Sequence, residues 1–161
     1  MTDEYKFKPA SEEEVALYCL VGEAVCYVQH LEDALSHTIA LKHNTPSSKP
    51  EADERLEKYR KHTLGRAIGV LERESLCQDA LLIELKDFLA ERNWLVHKSI
   101  APSRDEWDNL ESRPYLMERV KAVTTRAQKL LQAIESDLIE FAETNGKDMS
   151  RVKAEIHKHY S

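Results

Sequence analysis

Apolar residues recur every three or four positions along most of the chain, the period of an amphipathic helix. The first stripe comprises Leu17, Leu20, Ala24, Val28, Leu31, Leu35 and Ile39, in a helix ending near Asn44. Ser11 and Glu14 have the S-x-x-E spacing of a capping box at its start. Pro46 and Pro50, with Ser47 and Ser48 between them, predict a loop. A second helix is predicted from about residue 52 to 75, with Leu56, Tyr59, Thr63, Ala67 and Val70 on one side and Leu64, Ile68 and Leu71 beside them. Gly65 and Gly69 share a face of that helix, where each costs about 1 kcal/mol relative to alanine. Close approach of a neighbouring helix would offset the cost, and a ligand contact is the other reading.

The third helix is predicted over about residues 78 to 96, on a stripe of Leu81, Leu85, Phe88 and Leu95 flanked by Leu82 and Leu89. Pro102 and Pro114 bound a polar segment, and Pro114 suits the first turn of a fourth helix. That helix carries Leu116, Val120, Val123, Ala127, Leu130, Ile134, Leu138 and Phe141, with Asn145-Gly146 as its C-cap. The expected fold is all-α, an up-and-down bundle of about four long helices plus a short C-terminal helix. Residues 1–10 read as an N-terminal extension, 11–145 as the bundle and 146–161 as a tail or short helix.

Composition narrows the class. The chain has 161 residues, only 4 glycines and 5 prolines, and 32% charged residues, which argues for one helical domain and against a sandwich, a barrel or a disordered chain. Cys19, Cys26 and Cys77 lack zinc or disulfide spacing and are expected as buried thiols in a reducing compartment. No apolar run is long enough to span a membrane, and the acidic N-terminus lacks the layout of a signal peptide, so a cytoplasmic protein is expected. A net charge of −6 excludes coating nucleic acid by bulk electrostatics. Residues 113–129 nevertheless carry Arg113, Arg119, Lys121, Arg126 and Lys129 against Glu118 alone. This basic face could hold a phosphate chain or an acidic partner, or form salt bridges to the acids near the N-terminus.

One position breaks the apolar pattern. At 100° per residue Arg92 lies about 20° from Leu81 and Leu85 on the helical wheel. A buried unpaired guanidinium costs several kcal/mol and cannot escape by deprotonation. Arg92 must therefore meet a carboxylate, line a cleft or face a second subunit. His97 lies about 140° around an ideal helix from Arg92, whereas Asn93 shares its face. Convergence of Arg92 with His97 needs the helix to end near Val96 or a second copy across a two-fold axis. His97 could alternatively cap the last carbonyls of its own helix.

The segment Arg92-Asn93-Trp94-Leu95-Val96-His97 resembles the signature of the HEPN superfamily, all-helical domains with an Arg, usually a polar residue next, and a His after four to six intervening residues. The late position in a long apolar helix also matches, and the stretch from Thr63 to Gly69 looks like segments of some uncharacterised members. The resemblance spans roughly residues 11–145, with the residue-level match confined to the motif. It implies a metal-independent endoribonuclease of the toxin or anti-phage type, needing no cofactor and leaving 2′,3′-cyclic phosphate ends. Its composite site would form in a homodimer from Arg92, Asn93 and His97.

The residue types suit that chemistry. An imidazole can exchange protons with the 2′-hydroxyl and the leaving 5′-oxygen near neutral pH. A guanidinium can stabilise the pentacoordinate phosphate. RNA would follow Lys98, Arg104, Arg119, Lys121 and Arg126, with Trp94 or Trp107 available for stacking or for packing. An antitoxin or other regulatory protein is a further expected partner. Some HEPN toxins carry a nucleotide-accepting Tyr two residues after the His; Ser99 stands there, so that control is not expected. The alternative is a non-catalytic HEPN-like module that binds nucleotide, RNA or a protein through the same cleft.

Overall fold

The computed structural model of the chain describes residues 8–160, so most of the expected 1–10 extension lies outside the described residues. Those residues form seven helices: α1 (Glu12–Lys42), α2 (Lys49–Tyr59), α3 (Leu64–Arg73), α4 (Asp79–Lys98), α5 (Arg104–Asp108), α6 (Arg113–Thr144) and α7 (Ser150–Tyr160). The all-α bundle read from the periodicity is the fold observed.

The local signals explain the long helices. Ser11 N donates to the Glu14 carboxylate at 2.9 Å and Glu14 N donates to Ser11 Oγ at 3.2 Å, which closes the capping box of α1. Pro114 sits in the first turn of α6, where the missing N–H costs nothing. At the other end Gly146 adopts φ +75°, and Lys147 N donates to Ala142 O at 3.0 Å. Helices α1 and α6 form the most extensive pairing, with α4 laid against both and α3 against α4 and α1. The core lies among them and includes Leu31, Leu35, Leu85, Phe88, Leu95, Val120, Val123 and Ile134, all essentially without solvent exposure.

The predicted second helix is two helices. Thr63, expected in its apolar stripe, is exposed and caps α3, its hydroxyl accepting from Arg66 N. Helix α2 packs on α1, while α3 must reach both α4 and α1. One straight rod cannot satisfy both, so the chain turns at residues 60–63. The polar segment before α6 contains the one-turn helix α5, anchored by buried Trp107. Arg113 stacks on that indole at 4.4 Å and donates to the Trp107 carbonyl at 2.8 Å.

Two smaller expectations need correction. Cys19 and Cys26 are exposed on α1, and Cys77 is half-buried, its thiol pushed up by burial. The reason is angular: both lie away from the Leu17–Ala24–Val28 stripe that faces the core. Close helix approach accounts for neither glycine: a Cβ at Gly65 would make an ordinary contact with the Leu89 side chain at 3.5 Å, and at Gly69 nothing lies within 4 Å. Gly69→Ala is therefore expected to raise stability by about 0.5–1 kcal/mol. Urea denaturation measures this, and a loss of stability would contradict it.

A clamp that the periodicity hides ties α1 to α6. Lys42 Nζ is 2.6 Å from Asp137 Oδ2, donates to the Leu76 carbonyl at 3.2 Å and lies 5.2 Å from the centre of the Phe141 ring. The side chains are only 10% and 17% exposed. Lys42→Ala would orphan a mostly buried carboxylate and is expected to cost about 2–3 kcal/mol. Thermal unfolding checks it, with Asp137→Asn in the Lys42→Ala background expected to recover part of the loss.

Candidate functional site

Arg92 comes from the second half of α4 and meets α1. Its Nε donates to Glu32 Oε1 at 3.0 Å, and its Nη2 lies 2.9 Å from the same oxygen. The pair is 19% and 23% exposed. Taking both donors on one oxygen, Glu32 fixes the orientation of the guanidinium along one edge. The remaining nitrogen, Nη1, donates to Asn93 Oδ1 at 3.4 Å. Of the outcomes open to Arg92 in the apolar stripe, it meets a carboxylate, sixty residues away in sequence.

His97 does not join them within this chain. Helix α4 runs on to Lys98 with Ser99 as its C-cap, so no early helix end swings the imidazole round. His97 is exposed and makes no hydrogen bond or ion pair with any described residue. It therefore caps no carbonyl either. Ser99 is buried, its hydroxyl donating to Leu95 O at 2.5 Å.

Beside the Arg92–Glu32 pair runs a groove of about 290 Å³ between α1 and α4, lined by Val21, Val25, Arg92, Leu95, Val96 and Ile100 among others. Ile100 also lines a neighbouring depression with Tyr18 and Trp107. Tyr18, Val96 and Ile100 are each more than a third exposed. An apolar strip thus lies open to solvent along the turn that carries the motif. No family model, curated protein or solved structure matches this chain. The site must be read from its own geometry.

The expected RNA path is largely charge-compensated. Arg119 forms a two-pronged pair with Glu91 at 3.0 and 3.1 Å while its guanidinium lies 3.9 Å from the centre of the Trp94 ring. Lys121 pairs with Glu118 at 2.7 Å. Arg104 contacts Asp108 at 3.0 Å and Glu14 at 3.2 Å. The Ser11 backbone N–H and Arg104 together hold the Glu14 carboxyl below its usual range. Only Lys98 and Arg126 of the five have no carboxylate partner among the described residues; Arg126 lies 5.7 Å from the Phe88 ring centre. On the basic face of residues 113–129, salt bridges among the described residues engage Arg119 and Lys121, through Glu91 of α4 and Glu118 of α6 rather than through acids near the N-terminus. Trp107 is buried beneath Arg113, and Arg119 covers a face of Trp94, so packing is the role that both indoles fill here.

Glu32 and the groove residues Val21, Val25 and Ile100 escaped the sequence reading. A signal existed for the valines: with Val28 they widen the apolar face of α1 beyond the single stripe. Glu32 carried none, since an acid on α1 says nothing of α4. No helix among the described residues is long and apolar enough to cross a membrane.

Proposed function

We propose that this chain is a HEPN-like, metal-independent RNA endonuclease of the toxin or anti-phage type, active as a homodimer. The observation that carries the reading is the uncovered apolar strip of Tyr18, Val96 and Ile100 beside a pre-oriented Arg92 and an unpartnered His97. A second copy seated on the strip through a two-fold axis would bury it and bring the two motif turns together. Arg92 then offers its Nη1 edge to the scissile phosphate, two imidazoles supply the base and the acid, and Asn93 steadies the guanidinium or the phosphate. Glu32 gives up some of the net charge at Arg92 in exchange for a fixed geometry.

The same ion pair favours a second reading, a non-catalytic HEPN-like module that binds nucleotide, RNA or a protein partner. A guanidinium already neutralised by Glu32 attracts phosphate less than a free one does. The test is incubation of single-stranded RNA with the purified chain in EDTA, with mass measured by sedimentation. Cleavage to 2′,3′-cyclic phosphate ends by a dimer is the expected result. A monomer without cleavage would discard the nuclease and leave the binding module.

A further inference from the structure

Away from the motif, α2 and α3 enclose a pocket of about 430 Å³ with the end of α1. That volume lies within the range of small-molecule sites, about 300–1,000 Å³. Its wall includes Lys58, His62, Arg66, Gly69 and Arg73. Arg73 is spoken for by Glu74 at 2.8 Å, and His43 on the far side stands 3.7 Å from the same carboxylate. Lys58 and Arg66 have no carboxylate partner among the described residues. In an acidic chain, two adjacent cations are left facing one cavity.

Two further features set this pocket apart from an ordinary charged surface. His62 Nδ1 is buried without a hydrogen-bond partner among the described residues, the ring lying edge-on to Tyr59 at 5.3 Å. An orphaned buried polar nitrogen costs about 1–3 kcal/mol and is rare. Gly69 is the other feature: a Cβ there would meet nothing within 4 Å, so no packing demand explains a glycine in this helix. Its missing side chain keeps one wall of the pocket open.

We propose that the α2–α3 pocket binds the phosphate monoester group of a small ligand, held by Lys58 and Arg66 with His62 behind them. The charge count selects the group. Two uncompensated cations match the dianion of a monoester, whereas an internal phosphodiester of a nucleic acid carries a single charge. Burial first, then the Arg66 and Lys58 charges, holds the His62 imidazole below its usual value. A bound dianion cancels the repulsion from both cations and makes the ring a donor, so binding takes up a proton. The other groups around the ring are Tyr59 from α2, Arg73 from α3 and His43 at the end of α1, the last two facing Glu74. The site is independent of the Arg92–His97 motif and stands or falls apart from it.

Calorimetric titration with 5′-AMP, inorganic phosphate, adenosine and an RNA oligomer lacking terminal phosphates tests the proposal, with His62 followed by NMR. AMP and phosphate are expected to compete for one site and shift the His62 resonances, and AMP is expected to bind more tightly at pH 7 than at pH 8, a range in which its phosphate stays mostly dianionic. K58Q/R66Q should weaken AMP binding by about tenfold or more while leaving the thermal midpoint near that of wild type. G69L should remain folded and lose binding by filling the open wall. Absent saturation by AMP or phosphate, undiminished AMP binding to K58Q/R66Q, or adenosine or the oligomer shifting the His62 resonances as AMP does would each overturn the assignment.

Discussion

His97→Ala is expected to lower RNA cleavage in EDTA by about 10²–10⁴-fold, the usual contribution of a general acid–base group. The same change should leave stability within about 0.5 kcal/mol, because the ring is exposed and touches no described partner. Arg92 behaves differently. Arg92→Ala should abolish cleavage to a similar degree but also strand Glu32, a carboxylate only 23% exposed, at a cost of about 1–3 kcal/mol. Arg92→Ala combined with Glu32→Ala should restore stability without restoring activity. The separation is the diagnostic: a purely structural Arg92 would regain full function once its orphaned partner is removed. RNA gels with denaturant melts on the four proteins measure both quantities, and cleavage that survives His97→Ala would remove the imidazole from the chemistry.

Phe88→Ala is expected to cost about 3–5 kcal/mol, the largest loss of stability from a single truncation in this chain. Phe88 is the bulkiest fully buried side chain and sits on α4, which packs on α6, α3 and α1. Removing the ring opens a cavity in the core, and rigid helix backbones cannot collapse into it. It also removes the surface beneath the Arg126 guanidinium. Ile83→Ala on the same helix is the control: that side chain is mostly exposed, so the expected change is within about 0.5 kcal/mol. Urea denaturation with a common slope gives both values, and similar losses at the two positions would contradict the burial pattern.

Much of the bundle was legible in the chain, and the reason differs from element to element. Helix α1 announced itself through Ser11, Glu14 and a seven-membered stripe, and α6 through Pro114 and Asn145-Gly146. The break between α2 and α3 was not legible. Leu56, Tyr59, Ala67 and Val70 keep the helical period across it and mask the Thr63 cap, while α3 packs on α4 as well as on α1 once the chain has turned at residues 60–63. Helix α5 was missed for the opposite reason: one turn is too short for periodicity, and contacts distant in sequence, buried Trp107 and the Arg104–Glu14 pair, hold it in place.

The motif shows the same division. The wheel angle placed Arg92 among leucines, and electrostatics required something to neutralise it there. Which group does so was open until α1 and α4 came together and set Glu32 against it. The groove beside it likewise exists only as a relation between helices, as does the pocket that gathers Lys58, His62 and Arg66 against the end of α1. Helical period, capping and turn chemistry act between residues within about four positions of one another, so the linear order of amino acids dictates them. Pairs such as Arg92–Glu32 and Lys42–Asp137, and the clefts beside them, arise between segments far apart along the chain, and only the packing of whole helices settles who meets whom.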